Sequence, residues 1–556
     1  MFANQPSSRW YRWILVGVCL ALTVPLIGYI WTGSYARYLQ DDYCYSVFLR
    51  GDNFFASQWN SYFYVGSYSA NRYSLTLLMG ISEEIGRFTV GLMPGLAVVL
   101  WVVGFMVLFR QAARLARMDL GWLEVYALSA ALVYLALYQA PNRTQILYWR
   151  AAMLPYLAPL VTQTWLAAWI IRQGRREKTG VLAVIGLVLL AFLAAGFSET
   201  GATYQAGMLG VGILAALIFW GRKQIAGKRF LLPLGAAMVG TLLGIAALVF
   251  SPVNAGRVGS IYPEAQSLIG VLTISADSLI RYLQHWVYRV TLPTFFTFLL
   301  FTAIGWAIFL RYARPARLGF WRLALGLVGI QALHLFLMFC EMVPSAYAQS
   351  SAPGERALLA ARFTSIITTG ASGFLVGTWL AQNLRQQFVR WLAVPGLAVL
   401  TLTGVVLLFL ATPTMTLEPA YPDMRAFVLG NPAMAVAIVA GGLILGGLLA
   451  WVGGKAPGWT ALVLLVAALA HVGFATETIY ARIPEFRFRA EMWDMRDAQI
   501  WEMAGQGQRE IEVRALDSLD GIAELQGTPD NWMNNCAEIY YGVDALWAVE
   551  PVLNPP

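Results

Sequence analysis

The sequence predicts an all-α polytopic membrane protein of about thirteen transmembrane helices, with a large first outer loop and a small C-terminal mixed α/β domain outside the membrane. Three observations predict it. Of 556 residues, 58% are hydrophobic and 12% charged, about half the charged share of an average soluble domain. Apolar runs approaching the roughly 20 residues needed to cross hydrocarbon recur along the chain. Basic residues fall in short clusters between these runs, as topology signals do. In lipid the backbone must satisfy its own polar groups, so such runs form helices rather than open sheet. A water-soluble fold is excluded.

Hydropathy places the spans near 14–31, 92–109, 122–138, 156–171, 181–197, 204–220 and 231–250, then 292–310, 320–339, 364–380, 391–411, 433–451 and 460–474. The first run has no small-residue cleavage site and is read as a retained helix. RWYRW, RQAARLAR, RQGRREK, GRKQIAGKR, RYARPARLGFWR and RQQFVR, together with the four lysines Lys178, Lys223, Lys228 and Lys455, all fall on one side. Lys and Arg are retained in the cytoplasm, so that side and the N-terminus are cytoplasmic. Asp41, Asp42, Glu199, Asn254, Glu341, Arg356 and the C-terminal tail then face outward.

Residues 1–475 are read as the transmembrane module, with the first outer loop at 33–92. In that loop the aromatics of GDNFFASQWNSYFYVGSYSANRYS recur at spacings that suit an interfacial amphipathic helix, a lid lying on the membrane. A second outer segment, SPVNAGR onward, mixes a turn-rich loop with an amphipathic stretch. From 476 to 556 the chain turns polar, with helical spacing and then an alternating, strand-like IEVRAL. This tail is the predicted outer domain, too short to hold a large core of its own. No internal repeat is visible, which counts against inverted-repeat transporters.

The net charge of +8 is spread over topology clusters, so no nucleic-acid partner is predicted. The four cysteines show no CxxC or Cys/His pairing and there are three histidines, which argues against a zinc or haem site. Cys44, Cys340 and Cys536 fall on the outer side. There a disulfide such as Cys44 to Cys536 and free thiols are both open.

The chemistry starts at YLQDDYCYS, where Asp41 and Asp42 follow the first span. Carboxylates are costly in the bilayer, about 2.5 to 3.5 kcal/mol at its centre, so they face polar cavities. Two readings stand side by side: a solvated helix start, or a general base with its neighbour orienting it. Glu199 ends a span and serves either as an acid of the same site or as an arginine's partner. Glu83 and Glu84 read as the solvated face of a lid helix. Trp59, Tyr62, Tyr64 and Tyr68 read mainly as interfacial anchors, whereas Tyr148 and Trp149, beside Arg150, are candidates to stack on a sugar. Ser46 and Cys44 have no histidine placed to activate them, so a hydrolase is disfavoured.

The acidic-aromatic DDYCYS after the first span, WNSYFYVGSYSANRYS, YWRAAMLPYLAPL, SPVNAGR, GERALLAARF, WDMRDAQI and NWMNNCAEIYYGV together resemble the GT-C superfamily of lipid-dependent glycosyltransferases, and within it a bacterial polytopic family. The resemblance covers almost the whole chain. Two positions depart from the pattern: Val253 stands in place of glycine, and Ser198-Glu199-Thr200 in place of an Asn-Glu pair.

The resemblance implies a GT-C-like fold in the bacterial inner membrane. It implies transfer of a sugar from a polyprenyl-phosphate carrier to a glycan, lipid or protein acceptor on the outer face, with inversion. The catalytic candidates are Asp41, Asp42 and Glu199. The leaving lipid phosphate calls for guanidinium groups, which bind phosphate bidentately and stay charged. Substrate-binding candidates are Arg72, Tyr148, Trp149, Arg150, Asn254, Arg257, Arg356 and Arg362, with Arg257 and Arg356 foremost. No cofactor is required by this reading, and the carboxylates permit a divalent cation. A transporter or lipid flippase is the rival, but it should place ionisable groups deep within several spans, and these spans are nearly charge-free between their ends.

Overall fold

The structure is a computed structural model that describes residues 8–50, 53–64, 70–257, 266–289, 291–312, 318–383, 469 and 471–551. It is helical almost throughout. In chain order the first helices are α1 (Ser8–Gly33), α2 (Asp41–Leu49), α3 (Phe54–Phe63), α4 (Tyr73–Ile85), α5 (Thr89–Leu115), α6 (Trp122–Tyr138), α7 (Arg143–Tyr148) and α8 (Arg150–Gly174). They continue as α9 (Val181–Ala195), α10 (Glu199–Gly221), α11 (Ile225–Val249), α12 (Val253–Arg257), α13 (Leu268–Arg289), α14 (Thr291–Tyr312), α15 (Phe320–Gln349) and α16 (Leu359–Asn383). A 3-10 turn, Glu355–Leu358, leads into α16. The tail holds α17 (Ile483–Gly505), β1 (Glu510–Ala515), α18 (Trp532–Tyr541) and β2 (Ala545–Pro551).

Among the described residues seven helices are long and apolar enough to cross a membrane, with α6, α9 and part of α14 as shorter apolar helices. The predicted spans at 391–411 and 433–451, and most of 460–474, lie outside the described residues. The count of thirteen is therefore left as an expectation. At α8 the start moves from the expected residue 156 to Arg150. Hydropathy misses that first turn because its leading residue is charged.

The chain divides into two compact units. The larger holds 13–276, 336–364 and 474–556. Its bundle has a buried core of Leu187 and Ala191 from α9, Leu209 from α10 and Ala237 from α11, with Leu166 and Ile170 of α8. Gly240 of α11 packs directly on the Val188 carbonyl oxygen, where any Cβ would collide. Small residues at such crossings bring backbones close, which is how helices associate without a hydrophobic drive in lipid.

Between α1 and α5 the described residues hold three helices, α2, α3 and α4. Asn53 caps α3, its Oδ1 accepting from the Phe55 and Ala56 amides at 2.9 and 3.3 Å. Asp41 and Asp42 occupy the first turn of α2, where negative charge meets the positive end of the helix dipole.

The tail is mixed α/β, and the strand predicted at IEVRAL is β1. β1 and β2 pair in parallel from Glu510↔Ala545 to Arg514↔Val549, with α18 in the crossover that a parallel pair requires. Gly542 ends α18 at φ 71°, a left-handed position that suits glycine. The tail is bound to α2 by a disulfide between Cys44 and Cys536 of α18. Around it Tyr38 and Tyr43 meet Tyr540 edge-on, at 5.6 and 5.5 Å between ring centroids. Arg37 pairs with Asp494 through two hydrogen bonds of 2.6 and 2.7 Å, and Arg87 with Asp497 at 2.6 Å.

The smaller unit holds Met1–Arg12, Asp277–Leu335 and Ser365–Gly473. Its described core is Trp306, Leu323, Val376 and Trp379. His334 within it is buried, with Nε2 2.9 Å from the Ser365 hydroxyl.

Candidate functional site

Two acids adjacent in sequence have different surroundings. Asp42 is fully buried. Its Oδ1 accepts from Arg150 Nε at 3.2 Å and its Oδ2 from the Leu39 amide at 3.1 Å. Burial pushes its pKa up to about 6, against the pull of Arg150.

Arg150, at the start of α8, is equally enclosed, and its Nη1 donates to Glu83 Oε1 at 2.6 Å and to Ser82 Oγ at 3.0 Å. The guanidinium also lies over the Tyr38 ring, 5.0 Å from its centroid. Glu83 in turn accepts from Tyr38 OH at 2.7 Å, Ser46 Oγ at 2.8 Å and Arg50 Nε at 3.1 Å. Burial would raise the Glu83 carboxyl, but Arg150 and the hydrogen bonds from Tyr38 and Ser46 outweigh it and hold the pKa below the usual value. The result is a sealed network in which two carboxylates meet two guanidinium groups.

Glu83 was expected on a solvated face, and the structure corrects that: its side chain is 1% exposed. The sequence carried the signal. Leu75, Met79 and Ser82 are buried on α4, and helical spacing puts residue 83 on their face and residue 84 off it. Glu84 is indeed exposed.

Asp41 is half-buried, and among the described residues its carboxylate accepts no hydrogen bond. Desolvation raises its pKa, and the charge that opposes this is Arg356. Arg356 lies on the 3-10 turn before α16, its guanidinium 4.9 Å from the Trp149 ring centroid. Trp149 is buried and its Nε1 donates to the Leu39 carbonyl at 3.2 Å. Trp149 thus ties the segment before α2 to the start of α8 and forms the platform under Arg356. Tyr148 is also buried, edge-on to Phe486 of α17 at 5.0 Å. Neither ring presents an open face for a sugar to stack on.

A second charged cluster lies at the start of α10. Ser198 caps that helix, its Oγ accepting from the Gly201 amide at 3.1 Å. Glu199 follows, with Arg72 Nε and Nη2 on its Oε2 at 3.0 and 2.9 Å and Asn71 Nδ2 on its Oε1 at 2.7 Å. Glu199 is therefore an arginine's partner, and the pair remains about one-third exposed, at 31% for each side chain. Arg72 precedes α4 and Glu83 lies eleven residues on, so the two clusters are about 16 Å apart along α4.

A crevice of about 10 Å³, room for about one water, is lined by Tyr156, Gln163, Ser198, Thr200, Tyr204 and Ala357. It adjoins Glu199 through Thr200 and Arg356 through Ala357. Among the described residues Gln163 Oε1 is buried with no hydrogen-bond partner.

The other expected residues are placed as follows. Asn254 Nδ2 donates to the Leu248 and Val249 carbonyls at 2.8 and 2.9 Å, closing the C-terminus of α11. The backbone of Arg257 ends α12, and its side chain lies outside the described residues. Arg362 is buried on α16. Glu341 of α15 is fully buried and faces the amides of Ala360 and Ala361 in the first turn of α16. Among the described residues no three His, Cys, Asp or Glu side chains are grouped to hold a metal ion.

No family model and no curated protein matches the chain. Among solved structures it is similar to the crystal structure of ArnT from Cupriavidus metallidurans bound to undecaprenyl phosphate. The two share 13% identity over 96% of this chain and 85% of that one, with a TM-score of 0.39. At that identity and score the likeness carries no residue role and no substrate to this chain, whose helical, polytopic fold stands on its own geometry.

Proposed function

We propose that the chain is a membrane glycosyltransferase that moves a sugar from a polyprenyl-phosphate carrier to an acceptor hydroxyl on the extracytoplasmic face, with inversion at the anomeric carbon. The carrying observation is the contrast at residues 41 and 42. Asp42 has both oxygens occupied, whereas the Asp41 carboxylate accepts no hydrogen bond among the described residues and feels the charge of Arg356. A half-buried carboxylate with a raised pKa suits a general base.

In this reading Asp41 takes the proton of the acceptor hydroxyl as its oxygen attacks the anomeric carbon. The carbon–oxygen bond to the carrier breaks, and polyprenyl phosphate leaves with the bonding electrons. Arg356 stabilises the charge that develops on the phosphate, and Trp149 beneath it fixes the guanidinium. Asp42 acts through position: held by Arg150, it anchors the first turn of α2 and so aims Asp41. Arg72 and Glu199, each about one-third exposed, form a second polar contact open to the sugar or the acceptor.

The test is to incubate the purified protein with a panel of radiolabelled polyprenyl-phosphate sugars and acceptor glycans, lipids or proteins. Asp41→Asn should lower transfer by about 10²- to 10⁴-fold, the usual worth of a positioned base, with unchanged folding. Full activity in that variant removes Asp41 as the base. No turnover with any carrier returns the flippase as the better reading.

A further inference from the structure

The helix α3 has an aromatic face that stays exposed among the described residues. Phe55, Trp59 and Phe63, spaced four apart, are 80%, 62% and 40% exposed. Trp59 and Phe63 lie 4.1 Å apart between ring centroids. The opposite face is polar and engaged: Ser57 and Ser61 are buried, and Gln58 Nε2 donates to the Thr76 carbonyl of α4 at 3.2 Å. The sequence FFASQWNSYF contains no charged residue. Three aromatic side chains of about 150–250 Å² each form a patch large enough to mark an interaction surface.

What covers the patch follows from where α3 is fastened. Tyr62 OH donates to the Ala247 carbonyl at 2.5 Å, and Ser251 Oγ donates to the Tyr62 carbonyl at 3.2 Å. Both partners lie at the end of α11, a helix long and apolar enough to cross the membrane. The outward surface of α11 is apolar up to that end, through Leu242, Leu243, Val249 and Phe250. The aromatic stripe of α3 is thus joined to the end of a span's lipid-facing wall. Trp and Phe concentrate where the hydrocarbon gives way to headgroups, because rings gain from burial there while the adjoining backbone stays hydrated.

We infer that α3 is a membrane-contacting helix whose Phe55, Trp59 and Phe63 are immersed in the outer-leaflet interface. The bilayer, rather than water or a second protein, is their partner. The contact fixes the first outer loop, and with it α2, at lipid level. It holds whatever the protein's reaction, so its test reads no activity.

The full chain carrying Cys19→Ser and Cys340→Ser, with the Cys44–Cys536 disulfide kept, is given Trp59→Cys and a nitroxide label in phosphatidylcholine nanodiscs. Power saturation then compares collision with oxygen, which partitions into lipid, and with a water-soluble nickel chelate. The expected result is an oxygen preference like that of a label at Leu242→Cys on α11. Preference for the nickel chelate, as for a label at the exposed Asp530→Cys, overturns the inference. So does exclusion of both reagents, which would mean a protein partner. Phe55→Cys gives an independent reading should loss of Trp59 disturb folding, and it must agree.

Discussion

The Asp42–Arg150–Glu83 network and the Asp41–Arg356 pair begin one residue apart and obey opposite rules. In the first, every carboxylate is sealed and hydrogen-bonded, with Asp42 and Arg150 essentially inaccessible. In the second, neither charge is sealed, and Asp41 has no hydrogen bond among the described residues. The difference teaches what a doubled aspartate at the end of a span is for. One acid is used up in fixing the helix start, and in the proposed reaction the other is the one that meets the acceptor. The clusters should therefore fail differently, the sealed one in folding and the open one in turnover.

The largest stability effect is expected at Arg150. Removing one member of a buried ionic network leaves an uncompensated charge and costs about 3–5 kcal/mol. Here Arg150→Ala strands both Asp42 and Glu83, so thermal unfolding in detergent should shift down sharply and the folded yield should fall. Asp41→Asn should leave the same melt unchanged. Equal melting losses in both variants would erase the distinction between the clusters.

A smaller effect, with a definite sign, concerns pH. Asp42 has its pKa raised from 3.8 to about 6 in the fold. The native state therefore binds more protons than the unfolded one between these values, and stability should fall as pH rises through that window. Glu83 is shifted the other way, so its contribution is lost as pH falls below its ordinary value of 4.5. Between about pH 4.5 and 6 the Asp42 effect acts against little opposition from Glu83. Chemical denaturation across this range should show a downward slope that Asp42→Asn flattens. A rising slope in the parent protein would contradict the sealed environment assigned to Asp42.

The two clusters also mark how far the sequence could be read. Apolar run length placed ten helices, α1, α5, α6, α8 to α11 and α14 to α16, because hydrophobic length is a local property. The DD pair and GERALLAARF singled out Asp41 and Arg356 as candidates, and in the fold the Arg356 charge opposes the desolvation of Asp41. What remained hidden was pairing across distance. Arg150 was expected to bind substrate, yet it is enclosed by acids 67 and 108 residues away. Trp149 looked like a sugar platform and is instead a buried support. Hydropathy gives a charged residue one character wherever it occurs, whereas burial with a partner is decided by three-dimensional neighbours. The α4 periodicity through Leu75, Met79 and Ser82 was the one local clue to Glu83.

The smallest effect is expected at the rim of the sealed network, and it separates enclosure from charge count. Arg50 contacts the same Glu83 oxygen that accepts from Ser46 and Tyr38, but its side chain is 38% exposed. Partly solvated ion pairs are screened and contribute about 0–1 kcal/mol. Arg50→Ala also leaves Glu83 with Arg150, Tyr38 and Ser46, so no buried charge is stranded. Its melting shift should be a small fraction of that for Arg150→Ala, although both delete one guanidinium from the same carboxylate. If the two variants lose equal stability, Arg50 is enclosed in the membrane-bound protein, and the network's seal extends one residue beyond α2.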